Sequence, residues 1–248
     1  MGRLKEIYSV AWGDLRFMRH NFVSIMAMTL VSPVLYLIAF GYGMGQGVEM
    51  DGVPYIAFII PGIVALSSLN ASFSSTATRL NVQRLYYRSF DEMMICPLRT
   101  SSIVIGKAIL GFIRGLISCL LIFLLGLLLT DKLIFSLPFI ACLMLSCLTF
   151  ALLGEMAALL AKTHQSMAVF NTFVILPMTF LCGTFFSVSI LPDIFQKLLY
   201  LIPLTHASEC IRAGALGWNF PLLSFIVMIM FCLLFYAINY YLVKTKKV

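Results

Sequence analysis

Polar and apolar residues are segregated along this chain on a scale of about twenty residues, not of two or four. Six apolar runs stand out, at 22–41, 55–78, 103–129, 136–160, 166–187 and 218–242. A bilayer-crossing helix needs about 20 mostly apolar residues, whereas a lipid-facing barrel strand alternates over about ten. The pattern predicts an all-α membrane protein with six transmembrane helices, residues 1–248 forming one transmembrane domain. The first 21 residues follow a shorter period. Leu4, Ile7, Tyr8, Ala11, Leu15 and Met18 share one helical face, and Arg3, Lys5, Glu6, Ser9, Arg16 and Arg19 take much of the rest. That is the signature of an amphipathic helix lying in the membrane interface. A plain basic anchor before the first span is the alternative. Glu6 and Asp14, and the lack of a small-residue cleavage site, read poorly as a signal peptide.

Composition makes the lipid solvent a requirement. Of the 248 residues 61% are hydrophobic and 11% charged, and mean hydropathy is +1.01. Soluble domains are about 45–50% apolar. The formal charge of +7 is scattered between the runs, so no nucleic-acid footprint is expected. Lys and Arg crowd segments 1–21, 79–107 and the tail, while 42–54 has only Glu49 and Asp51. Positive charge favours the cytoplasmic side. Both termini and the loops 79–102 and 161–165 are therefore expected to face the cytoplasm.

The loop 79–102 holds "RLYYRSFDEMMICPLR" at 84–99. Asp91 and Glu92 suit the first turn of a short helix. Met93, Met94 and Ile95 form an apolar knob that Pro97 closes. An apolar patch rimmed by charge marks a docking site, with burial in the lipid interface as the alternative. The chain has no G-x-x-x-x-G-K-[ST] loop, and "GYGMGQG" at 41–47 reads as a flexible turn on the opposite side. If nucleotide powers this protein, ATP and Mg are expected on another polypeptide, and this chain is expected to bind no cofactor.

Inside the runs, Ser67, Asn70, Ser74 and Thr78 form a polar stripe with Phe73 among them. It suits helix packing or the wall of a substrate path. Arg114 and Glu155 are costly in hydrocarbon and mark functional candidates. They are expected to pair, with Lys107 as another partner for Glu155 and snorkelling as the alternative. In the outer segment 188–217, Pro192 suits the start of a short helix. Thr205 is expected to cap a second, with Glu209 and Arg212 spaced as an i,i+3 pair. His206, Glu209 and Cys210 resemble a metal cluster only weakly, so no metal site is expected. The seven cysteines suit buried hydrophobes, and only Cys182 and Cys210 are placed to form an outer disulfide.

With these segments the chain resembles the membrane subunit of type-2 ABC exporters, the group of nodulation-factor, polysaccharide and daunorubicin-type exporters. The resemblance runs through "TLVSPVLYLIAFG" at 29–41, "YIAFIIPGIVAL" at 55–66 and "RSFDEMMICPLRTSSIVIGK" at 88–107, and covers almost the whole chain. Its most specific part is Leu191-Pro192, then Pro203-Leu204-Thr205-His206, then Arg212; at Thr184 the family usually has another small residue. The resemblance implies that Phe90 to Pro97 form the coupling helix. Phe90, Asp91, Glu92, Met93, Met94 and Arg99 would then contact an ATP-binding cassette ATPase subunit. It implies short outer re-entrant helices before the last span. It also implies a homodimer, or pairing with a related permease, in the cytoplasmic membrane of a prokaryote. The cargo expected is an amphipath entering from membrane lipid: a lipid, a lipid-linked oligosaccharide or a hydrophobic drug. An ion-driven transporter would favour paired acids deep in the bilayer, and a lipid-modifying enzyme an outer constellation of His, Asp or Ser. These are the alternatives.

Overall fold

A computed structural model of the chain describes residues 2–44, 47, 49–188 and 192–246. Its helices are α1 (Arg3–His20), α2 (Phe22–Tyr36), α3 (Tyr55–Leu85), α4 (Ser89–Ile95), α5 (Thr100–Leu129), α6 (Leu137–Leu160), α7 (His164–Phe170), α8 (Leu176–Leu181), α9 (Asp193–Leu199), α10 (Pro203–Leu216) and α11 (Leu222–Lys246). A small antiparallel hairpin, β1 (Glu49–Met50) and β2 (Val53–Pro54), joins α2 to α3. Gly52 turns that hairpin at φ +80°, a conformation L side chains rarely adopt. Of the expected glycine-rich turn, residues 41–44 instead extend the first span as part of a π-helical stretch, Leu37–Met44, and 45, 46 and 48 lie outside the described residues.

Among the described residues, five helices are long and apolar enough to cross a membrane: Phe22–Gly41, Tyr55–Leu85, Thr100–Leu129, Leu137–Leu160 and Leu222–Lys246. They match five of the six expected runs. The remaining run, 166–187, is built in pieces: α7, a π-helical turn at Asn171–Ile175, then α8. Pro177 sits at the start of α8. It has no N–H for the preceding turn, so the helix widens there. The pieces begin where His164 meets Tyr86 (ring centroids 4.8 Å apart) and end where Phe180 meets Phe185 (6.1 Å).

α3 is the axis of the bundle. It packs against α5, α6 and α10, and Phe58, Ile59, Ile60, Ile63, Leu66 and Leu69 are wholly buried on it. At 31 residues it spans about 46 Å at 1.5 Å per residue. Small residues let its neighbours close in. A Cβ on Gly115 of α5 would lie 1.9 Å from Ser72 Oγ, and one on Gly111 2.1 Å from Thr76 Oγ1. α2 and α11 lie on the outside and keep most of their surface exposed, as lipid-facing helices do.

The bundle has two distinct ends. At one, α1 lies against the start of α5, and α4 sits beside the ends of α3 and α11. At the other are the hairpin, α9 and α10. There Tyr55 donates to the Phe185 carbonyl at 2.9 Å, and Ser136 caps α6 while donating to the Gly214 carbonyl at 2.6 Å.

Candidate functional site

α4 has the two faces its sequence predicts, but they divide differently. Arg88 at φ 53° turns the chain sharply out of α3. Phe90 and Met94, one turn apart, point inward and are buried. They pin α4 to the bundle. Asp91, Glu92 and Ile95 form the outward ridge, with Ile95 87% exposed. Met93 is half-buried, and Arg99 is exposed at the start of α5. The expected knob of Met93, Met94 and Ile95 is thus corrected. Helical geometry allows only Ile95 to stand fully clear, because Met94 shares the inner face with Phe90.

Charge fixes the surroundings of α4. Arg84 of α3 donates to the Ala158 carbonyl and, at 3.3 Å, to that of Ala161; Lys246 of α11 donates to the Leu159 carbonyl at 2.9 Å. Both cations meet the carbonyl end of α6, where the helix dipole favours them. On the other flank, α1 turns its acids toward the protein. Asp14 accepts from Arg79 Nε at 2.9 Å, Gln83 Nε2 at 2.8 Å and Lys107 Nζ at 2.9 Å. Gln83 also accepts from Lys107 at 2.7 Å. One carboxylate therefore ties α1 to α3 and α5. Glu6 accepts from Ser102 Oγ at 2.8 Å and from the Arg99 N–H at 3.4 Å, at the start of α5. Ser102's hydrogen bond holds the Glu6 carboxyl below its ordinary pKa, against the opposing effect of burial. Leu4, Tyr8 and Trp12 face outward. The sequence reading found the amphipathic helix but put Glu6 on its wetted face and gave Asp14 no role. The available signal was that these are the only two acids in an otherwise basic helix.

The polar stripe of α3 is also sorted by the fold. Ser67 is buried and donates to the Ile63 carbonyl at 2.7 Å. Phe73 is buried and stacked on Phe170 (centroids 5.9 Å). Neither lines an open path. Asn70 is half-buried, while Ser74 and Thr78 are exposed. These last three are successive turns of one face on a helix otherwise closed on nearly every side.

The expected Arg114–Glu155 pair does not form. Arg114 turns to α2, where Thr29 Oγ1 accepts from its Nε at 3.1 Å and from a terminal nitrogen. Glu155 is fully buried with neither oxygen hydrogen-bonded, and the charge that reaches it is that of Lys107. Arg114 leaves α5 toward α2, whereas Glu155 is buried on α6.

At the hairpin end, Pro192 precedes α9 and Pro203 opens α10; Leu191 lies outside the described residues. Thr205 does not cap α10. It lies within the first turn and donates back to the Leu199 carbonyl at 2.7 Å. Glu209 and Arg212 do not pair. Glu209 accepts from Tyr200 Oη and Ser224 Oγ, each at 2.7 Å. Arg212 donates to the Gly183 carbonyl at 2.8 Å and the Phe58 carbonyl at 3.4 Å, with its guanidinium 3.8 Å from the Phe58 ring. His206 Nδ1 lies 3.1 Å from Ser224 Oγ and Nε2 2.8 Å from the Tyr200 carbonyl. This is not a nucleophile–base arrangement. Ser224 gives its proton to Glu209, and a carbonyl occupies the far side of the imidazole. Among the described residues no group of three metal-ligating side chains converges. Cys182 and Cys210, the one pair that the sequence left open for an outer disulfide, are free thiols.

Known proteins share this arrangement at the sequence level. Residues 5–216 match the ABC-2 type transporter family. The inner membrane transport permease YadH of Escherichia coli (strain K12) is 32% identical over 233 residues, 91% of each chain. Nodulation protein J of Sinorhizobium fredii (strain NBRC 101917 / NGR234) is 31% identical over 217 residues, 83% of this chain and 82% of that one. Nodulation protein J of Rhizobium leguminosarum bv. viciae is 32% identical over 197 residues, 76% and 73% of the two chains. With a match across most of its length, the chain belongs to the ABC-2 type transporter family.

Proposed function

We propose that this chain is the permease subunit of an ATP-driven exporter in the inner membrane, that α4 docks on a separate ATP-binding subunit, and that α1 and α4 face the cytoplasm. The observation that carries this is the geometry of α4. Its inner face is clamped by Phe90 and Met94, and its outer ridge offers one bare aliphatic side chain, Ile95, beside two carboxylates. A groove of about 640 Å³ runs along it between Ile95, Pro97 and Lys246. A helix fixed this rigidly passes displacement to whatever it is fixed to. Here that is α3, the helix that carries the exposed stripe. ATP binding would shift the states by binding one of them more tightly. Hydrolysis would belong to the partner, with ATP and Mg held there. The cargo in this reading is an amphipathic or hydrophobic molecule, and the working unit pairs two permeases with two ATPase chains. The family and the names of the relatives support the permease role.

Ile95→Asp tests it. The side chain is outside the core, so insertion and folding are expected to be unchanged. Copurification of the co-expressed ATP-binding subunit is expected to fall about tenfold or more, as for a lost interface anchor. Met94→Asp would not be diagnostic, because Met94 is buried. Unchanged copurification and unchanged transport in Ile95→Asp would falsify the docking role of α4.

A further inference from the structure

A cavity of about 430 Å³ opens between α1, α2, α3 and α5, and its lining has an unusual make-up. Two arginines, Arg79 and Arg114, face it together with the exposed hydroxyls of Ser74 and Thr78; Phe17 and Ile25 are among its apolar walls. Arg114 lies two turns beyond Lys107 on α5, about 10 Å along the helix. An intramembrane cation is normally matched by an acid. Among the described residues none pairs with Arg114; its one partner is the Thr29 hydroxyl, whose own proton goes to the Ile25 carbonyl at 2.7 Å. Arg79 is held to Asp14 through Nε alone, and Phe17 lies 4.2 Å beneath its guanidinium. Asp14 is the acid nearest this lining, and it also serves Lys107 at 2.9 Å. Its single charge cannot neutralise both cations. Ser74 and Thr78 donate to nothing in the described chain.

We propose that this cavity binds the anionic headgroup of an amphipath, a phosphate being the group that suits it. Two guanidinium forks and two free hydroxyl donors match phosphate oxygens, while the apolar walls continue toward lipid along α2. The inference deepens the permease reading and rests on it for what the site is for. It accounts for three features at once: the unpaired Arg114, the only polar stripe α3 leaves open, and the cavity that joins them.

The test is equilibrium binding to the detergent-purified full chain, with dioctanoyl phosphatidic acid as probe. Dioctanoylglycerol serves as the headless control and inorganic phosphate as the tailless one. Phosphatidic acid is expected to bind about tenfold more tightly than either control, in keeping with charge-assisted hydrogen bonds in a partly buried site. Arg114→Gln is expected to abolish that preference. Thr78→Val, at an exposed position, is expected to weaken it about threefold while leaving the melting temperature unchanged, so a folding defect in Arg114→Gln would not hide the answer. Native mass spectrometry separates two sources of the headgroup. A copurifying anionic phospholipid that Arg114→Gln loses identifies a resident lipid; a lipid-free chain that takes up the probe identifies a site open to cargo. Equal affinity for phosphatidic acid and dioctanoylglycerol, or a preference intact in both variants, overturns the proposal. The assay contains no ATPase, so its failure leaves the docking role of α4 standing, and failure of the Ile95→Asp experiment leaves this site standing.

Discussion

Two arginines set within the bundle, Arg212 near the hairpin end and Arg114 midway along α5, are treated by the protein in opposite ways. Arg212 is 6% exposed and bridges two backbone carbonyls and an aromatic face, contributed by the hairpin-end half of α3 and the segment after α8. Arg114 is half-buried, makes contact with a single hydroxyl, and opens on a cavity. A guanidinium that bridges carbonyls of two separate segments is a strut. It cross-links α10 to α3 and to the segment after α8. One left with open donors in a low-dielectric surrounding is a site awaiting its anion. Charge within a span is ambiguous in sequence, and the count of partners resolves it.

The sharpest way to break this contrast is Arg212→Leu. Among the described residues it removes the only side-chain donor to the Gly183 and Phe58 carbonyls at the hairpin end. The Phe58 carbonyl keeps its partner within α3, but the Gly183 carbonyl is left unpaired at about 1–3 kcal/mol and the cation over the Phe58 ring is lost, so a loss of about 2–3 kcal/mol is expected. It would be read as a large drop in the melting temperature of the purified protein. Arg114→Gln is expected to cost less than about 1 kcal/mol, because its hydrogen bonds all go to a single neutral hydroxyl on a half-buried side chain. Equal losses would mean that both arginines are struts.

Much of this architecture is visible in the sequence because lipid imposes a simple rule. A run of twenty apolar residues has few alternatives to a helix, and five of the six expected runs are single long helices. The sixth departs from expectation at Pro177, where local backbone chemistry overrides the hydropathy signal. α4 was legible as a helix with an apolar knob, but not which side chains the fold would take for itself. Phe90 and Met94 are claimed by the core, and that depends on the direction in which α3 ends at Arg88. Ion pairing was the least legible feature. Arg114 and Glu155 are near each other by helix count, yet rotation about α5 sends them to different neighbours. Asp14, 65 positions from Arg79 and 93 from Lys107, makes the bonds instead. Periodicity reports which face a residue shares, and it carries no information on which distant helix will meet that face.

Asp14→Asn is the next test, because it converts a saturated centre toward the open state of Arg114. The amide keeps the shape but loses the charge, leaving Lys107, 4% exposed, with Gln83 as its remaining partner. Breaking a buried pair costs about 3–5 kcal/mol; Arg79 is partly exposed, so about 2 kcal/mol is expected here. The effect should be local. α1 would loosen from α3 and α5, and trypsin would cut at Arg16 and Arg19 faster than in the native protein, while the melting of the hairpin end stays unchanged. Global unfolding in step with Arg212→Leu would show that the two ends are one cooperative unit.

The smallest effect is expected where α1 meets the start of α5, through a group that titrates. Glu6 is ionised in the folded chain because Ser102 donates to it, with the Arg99 N–H assisting. Its pKa lies below the ordinary value of 4.5. A depressed carboxyl contributes stability above its unfolded pKa, and that contribution is lost as pH falls through the folded value. The contact is therefore complete at neutral pH and unchanged by mild acidification. It weakens only below pH 4.5, when the carboxylate takes up a proton and no longer accepts both donors. Hydrogen exchange of the α1 amides, followed as the pH is lowered and corrected for intrinsic rates, should show a modest inflection in that window. Glu6→Gln should be weaker throughout and flat across it. An inflection that persists in Glu6→Gln would assign the titration to another group and leave α1 held chiefly by the bonds of Asp14.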